Sequence, residues 1–146
     1  MSFAATESYI TLSLDKRIRS YYAQFRSGIL PIMVEIGRYY NIPLEQRFCP
    51  LCKDKFGLFI EDEYHLLCIC QHYNNLRVEL YREANELFPN FLTMDNFEKY
   101  LYLNSNLQMY TAKFIYNAMQ MRQNFLYNKY YAARCTYFFN LCHSDL

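Results

Sequence analysis

Tryptophan is absent from the 146 residues, and glycine and proline are scarce, at three and four. So few turn residues exclude a sheet of many short strands and favour long helices. No apolar run approaches the roughly 18–20 residues that a membrane-spanning helix needs. Neither sign of charge is in excess: Lys and Arg number 15 and Asp and Glu 14, a formal net charge of +1. The total therefore argues neither for nor against an anionic partner. Met1-Ser2-Phe3-Ala4-Ala5-Thr6-Glu7 lacks the basic and apolar regions of a secretory leader. Reduced thiols and an intracellular location, nuclear or cytoplasmic, are expected.

Aromatic side chains are plentiful, with 16 Tyr and 12 Phe, and 53% of residues are hydrophobic. That is too apolar for disorder and enough for one domain with a real core. The near-neutral total hides segregation. Residues 15–58 carry eight basic and four acidic side chains, residues 59–100 three and eight, and residues 101–146 four and one.

Periodicity predicts a mainly α fold. Asp15 to Ser27 reads as a helix with Ile18, Tyr21, Tyr22 and Phe25 on one stripe, stopped by Gly28. A second helix is expected from Pro31 to about Arg38, with Ile32, Ile36 and Tyr39 facing inward. Tyr64 to Phe88 reads as helical with an interruption near Cys70 to Tyr73, an inner face of Leu76, Leu80, Ala84 and Leu87, and Pro89 as its stop. Thr93 is read as the N-cap of a short helix through Leu103. A long helix follows from about Asn106 to Cys135 or beyond, with Leu107, Tyr110, Phe114, Ala118, Met121 and Phe125 recurring at three and four. The organisation expected is one domain over 1–146, with a loose lead-in at 1–14, a zinc knuckle at 45–75 and a helical body at 76–135.

The chemistry concentrates between Cys49 and Cys70, where the spacing is C-x2-C-x12-H-x4-C through Cys49, Cys52, His65 and Cys70. Two close pairs of thiolate and imidazole donors, joined by a loop, are how a closed tetrahedral zinc site is built. Phe48 to Ile60 would hold the knuckle, with room for a short β-hairpin turning at Gly57. The competing reading is a set of buried cysteines and a satisfied histidine. Within the motif, Cys68 and His72 compete with Cys70. On a regular helix His65 shares a face with Cys68 and not with Cys70, so pairing through Cys70 requires the helix to start late, tighten or break. The x4 spacing favours Cys70. Cys68 is then a small buried hydrophobe, and His72 a surface residue or an outer hydrogen-bond partner. Glu61-Asp62-Glu63 precedes an apolar run and reads as helix-capping acid.

The residues Glu35-Ile36-Gly37-Arg38-Tyr39, Ile42-Pro43, Arg47-Phe48-Cys49-Pro50-Leu51-Cys52, Glu61-Asp62-Glu63-Tyr64-His65-Leu66-Leu67, Cys70 and Tyr73-Asn74-Asn75-Leu76-Arg77 follow a recognisable order. The block resembles the C-terminal zinc-binding region that follows the polymerase in reverse transcriptases of non-LTR retrotransposons and related retroelement polyproteins. Relatives read roughly E-x-G-R-Y-x-x-I-P-x-x-x-R-x-C-x-x-C, then E-D-E-x-H-F-L-L-x-C-P-x-Y-x-x-L-R. The likeness covers about residues 20–80. It implies that Cys49, Cys52, His65 and Cys70 are the ligands, that the ion is zinc, and that the setting is nucleic acid. Gln71 departs from the proline of relatives, and the polymerase's Tyr-x-Asp-Asp motif is missing.

No enzyme is expected. Four protein ligands leave no open position on the ion, and His65 is followed by Leu66-Leu67 rather than by the glutamate of a zinc deaminase. The first expectation is a nucleic-acid-binding module with Arg38, Arg47, Lys53 and Lys55 as phosphate contacts and exposed tyrosines such as Tyr39 or Tyr40 stacking on bases. The alternative is a zinc-stapled helical module for protein–protein interaction or assembly.

Overall fold

A computed structural model describes residues 14–142, with side chains through residue 133. The fold is mainly α, as the sequence predicts. Five α-helices are joined by short 3-10 and π turns: α1 Lys16–Arg26, α2 Met33–Tyr39, α3 Asn74–Leu87, α4 Asn96–Asn106 and α5 Gln108–Cys142. No helix among the described residues is long and apolar enough to cross a membrane.

Helix α1 begins where Asp15 accepts a hydrogen bond from the Arg17 N–H at 2.8 Å, satisfying one of the free donors of a first turn. It ends just before Gly28, whose φ of +68° a side chain would strain. Leu30 and Ile32 are then buried. Ile32 is extended, so α2 starts at Met33, two residues after Pro31. Tyr39 does not face inward as expected: it is 70% exposed and Tyr40 75%. With only seven residues, α2 is anchored through Ile32 and Gly37, both buried.

The second half wraps α5. Leu80 and Ala84 of α3 are buried as predicted, whereas Leu87, expected on that inner face, is 62% exposed because the helix is leaving the core there. The N-cap of α4 is Asp95, not Thr93. Asp95 accepts from the Glu98 N–H at 2.8 Å and the Glu98 carboxylate accepts from the Asp95 N–H at 3.0 Å, a reciprocal capping box. Thr93 instead closes a 3-10 turn by donating to the Asn90 carbonyl.

Helix α5, 35 residues long, is the strut against which α1, α3 and α4 pack. Leu107, Phe114 and Ala118 are buried as the periodicity predicts, while Met121 is half-exposed. Ala112, Ile115 and Met119 are buried as well, so α5 buries a broader arc than a single stripe, as a central helix must. Past Phe125, residues 127–133 are exposed on every face, with Lys129 paired to Asp54 of the knuckle at 2.6 Å.

The knuckle makes no strand among the described residues. Its hairpin is a single antiparallel bridge between Phe48 and Ile60, in which the Cys49 N–H donates to the Phe59 carbonyl at 2.7 Å and the Glu61 N–H to the Arg47 carbonyl at 3.0 Å.

Candidate metal centre

That bridge sets the first ligand pair. Leaving it, the chain folds over Pro50-Leu51, and the N–H groups of Cys52 and Lys53 return to the Cys49 carbonyl at 3.3 and 3.2 Å. The N–H groups of Lys55, Phe56 and Gly57 then converge on the Cys52 carbonyl. Gly57, at φ +121°, reverses the chain. Both sulfurs of the C-x2-C pair therefore turn to the same side.

The second pair depends on a widened turn, after which the helix is interrupted at Cys70 to Tyr73, as the sequence predicts. His65–Ile69 is a π-helical turn. The Cys70 N–H donates to the His65 carbonyl at 2.7 Å, five residues back, so the helix is wider rather than tighter. In that register His65 and Cys70 lie one above the other, which 3.6 residues per turn forbids. Asp62 starts the turn by accepting from the His65 N–H at 2.7 Å. Cys70 itself, at φ −57° and ψ 119°, leaves the helical region and ends it.

The four side chains converge. One donor atom from each of Cys49, Cys52, His65 and Cys70 lies within 4.8 Å of every other, and all four residues are buried. The Cys52 sulfur is 3.5 Å from the Cys70 sulfur and 3.5 Å from His65 Nε2. A tetrahedral zinc site with metal–sulfur bonds near 2.3 Å has edges of about 3.7 Å, close to these two separations. The site could hold a metal ion. Cys68 is buried outside it, and burial pushes its thiol up to about 11. His72 stands between the Phe56 and Phe125 rings, at 5.4 and 5.2 Å.

The thiols share protons unequally. Hydrogen bonding from Cys70 draws the Cys49 thiol down to about 4, while burial pushes Cys52 up to about 11. Cys70 is raised by its hydrogen bond to Cys49. Binding a cation would release the protons that these thiols hold.

Three supports escaped the sequence reading. Glu61, taken for a capping acid, is buried. It accepts from the Met33 N–H at 2.7 Å and takes a fork from Arg122 at 2.8 and 2.9 Å. Burial pushes its carboxyl up against the pull of Arg122. Of the three acids, Asp62 caps as expected. Arg77, the last residue of the resembling block, is buried beneath the π turn and donates to the carbonyls of Leu66, Leu67 and Cys70. Gly37 lies under Arg47: a Cβ there would meet the Arg47 side chain at 2.6 Å. The only local signal for these was their place in the block itself.

The four basic residues assigned to phosphate do not share one environment. Lys53 and Lys55 are exposed on the knuckle turn. Arg38 is exposed, paired with Glu35 at 2.7 Å and stacked on the Tyr39 ring at 4.7 Å. Arg47 is half-buried, with its guanidinium on the carbonyls of Ile42 and Val34, each at 2.8 Å. Comparison with protein-family profiles, with curated proteins and with solved structures returned no match.

Proposed function

We propose that the chain is a non-catalytic zinc module that presents its knuckle to nucleic acid, in the retroelement setting that the block from Glu35 to Arg77 resembles. One observation carries the reading: three sulfurs and one imidazole nitrogen, all buried, face a common point. Four protein donors close the coordination shell and leave no position for a reacting water, so the ion acts as a structural staple. Thiolate-rich donor sets of this geometry favour zinc.

The nucleic-acid half rests on the turn that the staple holds. Lys53 and Lys55 project from it into solvent, where ammonium groups displace counterions from phosphate. Tyr39 at the end of α2 and Tyr40 just after it stand exposed, 70% and 75%, and offer ring faces to unpaired bases. Elemental analysis tests the first half, with one zinc per chain expected. A binding titration against single-stranded RNA and DNA over a salt series tests the second. Affinity falling with salt supports it, and a flat log–log slope overturns it.

A second reading has its own observation. Tyr127, Tyr130 and Tyr131 of α5 are at least 60% exposed, and Tyr127 stacks on Tyr131 at 5.9 Å. A cluster of exposed aromatics suits a protein partner. Light scattering of the purified chain, before and after Tyr127→Ala with Tyr131→Ala, tests that reading.

A further inference from the structure

The buried charges around the knuckle do not cancel among themselves. Three ionised side chains are almost fully removed from solvent: Glu61, Arg77 and Arg122. Glu61 and Arg122 neutralise one another through their fork. Arg77 is left over. Its guanidinium donates to three carbonyls and to the Asn74 side chain at 2.6 Å, and it lies 6.0 Å from the Phe114 ring centroid. These partners satisfy its N–H groups, yet none carries a full negative charge. Among the described residues no carboxylate pairs with it. A buried cation without a counter-charge is unfavourable, and a negative charge close by would stabilise it.

The cluster can supply it. A divalent ion held by three thiolates and one neutral imidazole bears a single net negative charge. Arg77 is tied to the backbone of that cluster, because its Nη2 donates at 2.8 Å to the carbonyl of the ligand residue Cys70. A monovalent ion in the same shell would leave two negative charges, and a trivalent ion none. We infer that Arg77 is the counter-ion of the metal–thiolate cluster. The assignment rests on the metal reading above and adds the residue that balances the cluster's negative charge. It also gives a charge-based reason for an arginine at the end of the block: a guanidinium both ties the π turn's carbonyls with its fixed fork and delivers the cation.

Zinc-edge X-ray absorption of the wild-type protein comes first. Three sulfurs and one nitrogen around the ion give the single negative charge. Two sulfurs with two lighter atoms give a neutral site and overturn the assignment. A protein that takes up no zinc overturns the metal reading itself. Zinc(II) and copper(I) affinities are then measured by chelator competition for wild type, Arg77→Lys and Arg77→Met. In Arg77→Met the zinc affinity falls roughly 10–100-fold, the usual effect of losing an outer-shell partner. The copper(I) affinity falls on the order of tenfold further, because the doubly negative cluster loses more. Arg77→Lys keeps the wild-type ratio of the two affinities. Equal losses for both ions in Arg77→Met, or a shifted ratio in Arg77→Lys, mean that Arg77 only ties carbonyls. Should Arg77→Met fail to fold, the sulfur count and the Lys ratio still decide.

Discussion

Glu61 and Arg122, 61 positions apart, form a buried two-pronged ion pair at 2.8 and 2.9 Å. The same carboxylate accepts from the Met33 N–H at the start of α2, and its Oε1 lies 3.9 Å from the Cys49 sulfur. One acid therefore joins the outgoing arm of the knuckle, the first turn of α2 and the middle of α5. The pair is charge-assisted and geometrically fixed. It orients these elements far more than it adds net stability, because both ions have lost their water.

Breaking the pair from one side should be costly. Arg122→Met leaves the Glu61 charge buried without a partner and lowers the unfolding free energy by about 3–5 kcal/mol. Glu61→Gln with Arg122→Met removes both charges and loses less than the two single changes together. Urea denaturation of the metal-loaded proteins measures all three, and strictly additive losses would refute the pairing.

Local rules reached the helices and the ligand set but not the connections between them. The spacing from Cys49 to Cys70 named four residues that the fold brings together. The means of bringing them together escaped, because a π turn inserts one residue into a pattern that periodicity assumes is regular. Thr93 reads as an N-cap from its residue type, but Asp95 has Glu98 three residues on, the spacing of the capping box that the helix uses. Glu61 could not be told from Asp62 by composition. Its partner lies on the far helix, and no local signal spans that distance. Tyr39 was read inward from its position two turns after Ile32, but a seven-residue helix ends before it can bury that turn.

Gly37→Ala tests the close approach within the motif. The added Cβ would meet Arg47 Cγ and Cδ at 2.6 Å. Arg47 can yield only by releasing the carbonyls of Ile42 or Val34. The expected loss is about 1–3 kcal/mol, the usual cost of overpacking. It should shrink when Arg47→Ala is added, and thermal melts of the single and double variants check this.

Removing the metal should unfold the knuckle before the bundle. The bridge between Phe48 and Ile60 is one residue pair, and the π turn is stabilised by joining His65 to Cys70, so ligation and local folding are one process. Hydrogen exchange after chelation should rise across residues 45–75 first, with Cys49→Ser acting alike. Unchanged protection there would rule out a structural ion.

The knuckle lysines and Arg47 should separate in a binding assay. Lys53→Glu with Lys55→Glu replaces two exposed cations by anions. It should weaken binding to single-stranded RNA or DNA across all sequences and flatten the salt slope by about 2, with the melting temperature little changed. Arg47→Ala should do the reverse, because its guanidinium holds two backbone carbonyls. Equal effects of the two variants on affinity would argue against the knuckle turn as the contact surface.

Cys68 gives the alkaline limit of the fold. It is buried at 7% exposure, outside the ligand set, and burial raises its thiol to about 11 from 9.0. Below pH 9 the thiol is neutral in the folded and unfolded chains alike and adds no pH dependence. Between pH 9 and 11 the unfolded chain ionises while the folded one keeps its proton. The unfolded state then binds fewer protons and stability falls as pH rises. Two pK units correspond to about 2–3 kcal/mol. Burial likewise raises Tyr81 beside it, which steepens the loss at the upper end. Chemical denaturation of the metal-loaded protein from pH 8 to 11 should show this decline, and Cys68→Ala should be less stable at pH 8 yet flatter in slope. A variant whose slope matches wild type would place the alkaline sensitivity elsewhere, at the tyrosines or the ligand thiols.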